Sequence, residues 1–117
     1  MDGLIVREPY AMQLVIGKKK REFRRTKLPI DKIGKKILIL TPQKDGGLIL
    51  GYVVFSESIL SGTDGYEWIV KESDVCDDFG KYKISPGCVI WVKDVCHADT
   101  HMFFSGDKVK ESEFNEI

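Results

Sequence analysis

Apolar positions along the first half of the chain change period several times, and each change marks an element. A β-branched run at residues 4–6 after Gly3 predicts a strand. Pro9 follows, and Tyr10, Met12, Leu14, Val15 and Ile16 then recur at three- and four-residue spacing, which predicts a helix over 9–16 closed by Gly17. Residues 22–25 alternate charged and apolar for only a few positions, enough for a short strand. Leu28-Pro29 opens an exposed basic loop that reaches Ile33-Gly34. The unbroken apolar run in 36–41 reads as a buried strand. The turn residues of 42–47 and the run 48–55 make it the first arm of an antiparallel hairpin. Gly51, inside the second arm, predicts a bulge or a close backbone approach of the kind found where a small barrel bends.

Beyond Ser56 the pattern loosens. Residues 61–65 read as a turn, and 67–75 fit a short strand and a short helix equally. A turn at 85–87 precedes a strand over 88–93, and 102–104 is one more short strand before a polar tail. Short strands, one or two helices and glycine-rich turns predict an α+β domain, a small mixed β-barrel with the helices packed on it, formed as a single domain by residues 1–117.

Composition agrees with one soluble globular unit: 117 residues, 43% apolar and 31% charged, support one core and little more. Apolar runs such as 37–40 fall far short of the roughly 20 residues that cross a bilayer, and the first residues show no secretory leader, so a cytoplasmic protein without membrane attachment is expected. Cys76, Cys88 and Cys96 are an odd set without a C-x-x-C pair, which suits reduced thiols.

Net charge is zero, yet residues 17–36 hold ten basic side chains against Glu22 and Asp31. Such polarity concentrates positive potential on one side and attracts polyanions, a nucleic acid before others. Lys18, Lys19, Arg24, Arg25, Lys27, Lys35 and Lys36 are the candidate phosphate-tracking residues. Arg24 leads them, because its planar fork holds a phosphate through two hydrogen bonds.

Within this segment Gly17, Lys19, Glu22 and Arg24 form the pattern G-x-K-x-x-E-x-R just after a helix, with Arg7-Glu-Pro-Tyr-Ala11 ahead of it. With the runs at 37–40 and 51–55 and the late strand around Trp91, the chain resembles the ASCH family over roughly residues 3–95. The resemblance implies a PUA-like barrel and binding of RNA or nucleotides in a cleft lined by the motif. In some small members it implies hydrolysis of N4-acetylcytidine, and hence an amidohydrolase acting on a modified nucleoside. Lys19 falls on the catalytic lysine of those hydrolases. Glu22 stands where they resemble one another in having a threonine, a departure that weighs against the enzyme reading. Their acidic residue lies after the long central strand, where Glu57, Glu67, Glu72 and Asp74 are the options.

As a nucleophile or base Lys19 would have to be deprotonated, which the surrounding cations favour and a pairing with Glu22 opposes. Glu22 can serve acid–base chemistry or orient Arg24. Lys19 and Glu22 are thus the candidate catalytic pair. Tyr10, beside the motif, and Trp68 are the candidates for stacking a base, against the commoner role of such rings in packing the core. Trp91, between Ile90 and Val92, is expected in the core. Cys76, Cys88, Cys96, His97 and His101 lack the paired spacing of a zinc site, and no phosphate-binding loop or nucleophile elbow is present, so neither metal nor cofactor is expected. A protein partner with an acidic face is the remaining alternative for the basic segment.

Overall fold

The computed structural model describes residues 1–82, 90–93 and 95. The turn expected at 85–87, the first two residues of the 88–93 strand, the strand at 102–104, and Cys88, Cys96, His97 and His101 lie outside these residues.

Six strands form one mixed sheet: β1 (Gly3–Ile5), β2 (Arg21–Arg24), β3 (Lys36–Leu40), β4 (Leu48–Ser61), β5 (Gly65–Lys81) and β6 (Trp91–Val92). Their order is β2-β5-β4-β3-β1-β6. Only β1 and β3 run parallel; every other neighbouring pair is antiparallel. The helix α1 (Tyr10–Val15) is the one α-helix among the described residues, and single 3₁₀ turns occupy Ile30–Lys32 and Gln43–Asp45. Pro9 stands just before α1 as its N-cap, one position earlier than expected. The expected barrel is a half-barrel: the sheet curls, and among the described residues β2 and β6 remain as its two edges.

The run in β3 is unbroken because both of its faces are covered. Ile37 and Ile39 join Leu4, Val6, Leu50, Val53, Phe55 and Trp68 beneath α1, which contributes Ala11, Leu14 and Val15. Leu38 and Leu40 point the other way, into a second cluster with Ile49, Tyr52, Val54, Cys76, Tyr82, Val92 and Val95. In β4, Leu50 and Val53 share one face although strict alternation would place them on opposite faces. Register shifts beside Gly51, in its pairing with β3 and with β5, account for this. A Cβ at Gly51 would lie 2.1 Å from the carbonyl oxygen of Asp74, so the anticipated close backbone approach is present.

The segment after Ser56 departs from expectation. It is no loose connection: β4 continues to Ser61, turns over 62–64, and returns as the 17 residues of β5, so the ambiguous stretch 67–75 is strand throughout. The outer half of this hairpin is covered on one face only, and its solvated residues interrupt the apolar pattern that a sequence reading relies on.

Candidate functional site

The site begins where α1 ends. The Ile16 amide donates to the Met12 carbonyl and the Gly17 amide to that of Leu14; Gly17 then takes φ of +81°, which a glycine adopts without strain. This reversal turns the chain back toward α1, where the Lys19 amide donates to the Gln13 carbonyl at 2.9 Å. The chain leaves the turn as β2, paired with β5 so that Glu22 faces Trp68 and Arg24 faces Tyr66. Because side chains alternate along a strand, Glu22 and Arg24 share a face.

That face borders a cleft of about 530 Å³, a size suited to a small-molecule ligand. Its walls come from Ile5 at the end of β1 with Val6 and Arg7 after it, Tyr10 of α1, Lys19, Glu22, Phe23 and Arg24 of the motif segment, and Pro42 and Lys44 of the β3–β4 turn. The Glu8 amide donates to Asp45 Oδ2 at 3.1 Å and ties the start of α1 to that turn.

Glu22 is only 5% exposed, and both of its oxygens are engaged. Lys19 Nζ donates to Oε1 at 2.6 Å, Arg24 Nε donates to Oε2 at 2.9 Å, and Arg24 Nη2 lies within ion-pair distance of the same oxygen, also at 2.9 Å. Arg24 Nη2 also donates to the Ile5 carbonyl, and its guanidinium lies 5.9 Å from the centre of the Trp68 ring. A largely buried carboxylate held between two cations satisfies the rule that buried charge is paired, and it fixes both cations in place. Lys19 therefore stands as an ammonium donor clamped to a carboxylate. Tyr10 is 41% exposed, with Lys19 Nζ 5.1 Å and the Arg7 guanidinium 5.8 Å from its ring centre.

Of the sequence candidates, Lys19, Glu22, Arg24 and Tyr10 meet in this cleft, whereas Lys18, Arg25, Lys27, Lys35 and Lys36 do not line it. Lys36 lies on the other side of β3, with its ammonium 4.8 Å from the Tyr52 ring centre. Trp68 corrects an expectation. It is 1% exposed, edge-on to Phe55, stacked on Trp91 at 5.9 Å, and its Nε1–H donates to the Thr26 carbonyl. A base cannot reach a ring enclosed on these sides, and Trp68 takes the core-packing role that aromatic residues commonly have in small domains. Phe23 borders the cleft but sets its ring against Gly65, where a Cβ would lie 2.6 Å from it.

The acids Glu57, Glu67, Glu72 and Asp74 also lie elsewhere. Glu57 is exposed on β4, Glu67 pairs with Arg21 at 3.0 Å, Glu72 accepts from the Tyr52 hydroxyl, and Asp74 Oδ1 accepts from the Val75 amide. Glu22 is the acid that lines the cleft among the described residues. Among the described residues no group of three or more His, Cys, Asp and Glu side chains could hold a metal, and no helix is long and apolar enough to cross a membrane.

Arg7 and Lys44 are cleft residues that the basic-run reading missed. Arg7 carried a signal, standing ahead of the motif in Arg7-Glu-Pro; Lys44 carried none, because only the β3–β4 turn brings it near. Neither makes an ion pair among the described residues.

Compared with known proteins, the ASCH domain model matches residues 4–73, which run from β1 into β5 and contain the whole motif. No curated protein matches the chain.

Proposed function

The chain belongs to the ASCH domain family, and on that premise we propose that it binds RNA or nucleotides in the cleft around Lys19, Glu22 and Arg24, within a PUA-like barrel. The observation that carries this reading is the convergence of Arg7, Lys19, Arg24 and Lys44 with the exposed Tyr10 ring on one cleft of nucleotide-admitting size. Among the described residues, four cations against the one carboxylate of Glu22 give the cleft wall a positive balance, the electrostatic condition for a phosphate-bearing ligand. Tyr10 supplies an aromatic face of the kind on which unpaired bases stack.

The division of labour differs from the simplest reading of the motif. Arg24 spends Nε and Nη2 inside the protein, so its role is to orient Glu22 and line the cleft. Arg7 and Lys44, without internal ion pairs among the described residues, are the phosphate ligands in this proposal.

Titration of labelled single-stranded RNA with the protein over a series of salt concentrations tests the reading. Log affinity is expected to fall linearly with log salt, by about 0.7 for each phosphate neutralised. Absence of saturable binding at low salt for both RNA and nucleoside monophosphates overturns it.

The presence of both Lys19 and Glu22 in the cleft wall leaves a second reading, an amidohydrolase of N4-acetylcytidine or a related modified nucleoside with these two as its catalytic residues. The 2.6 Å contact with Glu22 holds Lys19 as a donor, which favours binding over nucleophilic attack. Turnover of N4-acetylcytidine that vanishes in Lys19→Ala would establish the enzyme.

A further inference from the structure

The hydrogen-bonding capacity left over around Glu22 forms a pattern. Lys19 Nζ spends one of its three N–H groups on Oε1. Arg24 spends Nε on Oε2 and Nη2 on the Ile5 carbonyl, with Nη2 also in ion-pair contact with Oε2, and Nη1 with its two N–H groups has no partner among the described residues. Each carboxylate oxygen has about two acceptor sites, and the cations do not exhaust them. The cleft wall thus presents donors from Lys19, an acceptor at Glu22 and donors from Arg24, all held on or beside one short strand.

The complement of donor, acceptor, donor is an N–H flanked by carbonyl oxygens. We infer that the cleft selects a keto nucleobase, uracil above all, with its N3–H donating to Glu22 and its two carbonyls accepting from Lys19 and Arg24; this rests on the nucleotide-binding reading above. Cytosine and adenine carry an unprotonated ring nitrogen at the corresponding position. Its lone pair would meet the lone pairs of Glu22, leaving a largely buried carboxylate site unsatisfied, and sites built on such pairing reject the wrong partner strongly. Guanine offers N1–H beside one carbonyl and matches two of the three positions. With the base turned toward Glu22, the phosphate falls to Arg7 and Lys44.

Calorimetric titration of the full chain with UMP, CMP and N3-methyl-UMP tests the assignment on the ligand side, with no change to the protein. UMP is expected to bind about 10- to 100-fold more tightly than either of the others, the range for a hydrogen bond to a charged group. Equal binding of UMP and N3-methyl-UMP, or tighter binding of CMP than of UMP, overturns it. Glu22→Gln, which presents an amide in place of the carboxylate, should narrow the UMP-to-CMP ratio, with thermal denaturation reporting whether the variant folds; the ligand comparison stands even if it does not. RNA binding with a salt slope but without discrimination between uridine and cytidine oligomers overturns this inference and leaves the binding proposal intact. Failure of every RNA and nucleotide to bind removes both.

Discussion

Glu22 and Trp68 stand opposite each other across β2 and β5, so the largely buried carboxylate of the cleft and the largest buried side chain of the core occupy one rung of the sheet. Arg24 spans the two, bound to Glu22 and placed over the Trp68 ring. The charged triad therefore rests on the core. Trp68→Phe should cost about 1–3 kcal/mol through the lost Nε1–H bond to Thr26 and reduced packing on Trp91. It should also weaken RNA binding, although Trp68 lines no part of the cleft. An unchanged urea midpoint with unchanged RNA affinity would show that the core does not position the triad.

Gly51 tolerates no side chain, because its Cβ would sit 2.1 Å from the Asp74 carbonyl oxygen on the neighbouring strand. Backbone has little room to yield, so Gly51→Ala should lower stability by about 3 kcal/mol, at the upper end of overpacking costs. Denaturant unfolding of the two proteins measures it.

The rim cations can be separated from the rest of the basic segment by salt dependence. Arg7→Ala and Lys44→Ala should each reduce the slope of log affinity against log salt by about 0.7, the contribution of one phosphate contact on a single strand. Lys35→Ala, outside the cleft, should leave the slope as it is. The reverse ranking would relocate the interface to the loop before β3.

Cys76 is inert in the folded protein. Burial, reinforced by Asp74, Asp77 and Asp78, pushes its thiol up to about 12, so the thiolate that reacts is scarce at neutral pH. In a Cys88→Ser, Cys96→Ser background, a thiol reagent should modify Cys76 only when denaturant unfolds the chain. Rapid labelling under native conditions at pH 7 would contradict this.

Lys32 donates to Asp2, lies beside Asp31 and stands 5.3 Å from the Trp91 ring centre. The hydrogen bond to Asp2 raises its value above the usual 10.5, against desolvation, with the charge of Asp2 and the contact to Asp31 adding to the rise. A raised folded value means that the stabilisation is complete below the unfolded value and is lost as pH climbs through the folded one. Lys32→Met should therefore cost about 1–3 kcal/mol at pH 7–9, and the gap to the parent protein should shrink as pH rises beyond about 10.5. A gap that holds constant across that range would assign the effect to packing alone.

The motif of Lys19, Glu22 and Arg24 stood out through its resemblance to the ASCH family, whereas local pattern alone identified the strand at the start, the helix ended by Gly17, the β3–β4 hairpin and the irregularity at Gly51. These are decided within a few residues, by alternation against helical spacing, by glycine's access to positive φ, and by β-branched runs. The length of β5 escaped such reading, because residues 71–81 mix charged with apolar positions and are strand only through pairing with β4. Composition likewise marked the basic segment but could not rank its members. Tertiary structure sent Lys36 to the far side of β3, enclosed Trp68, and placed Arg7 and Lys44 on the same cleft as Lys19. Contacts between residues far apart in sequence depend on how the sheet curls and which strands become neighbours, and no local periodicity encodes that.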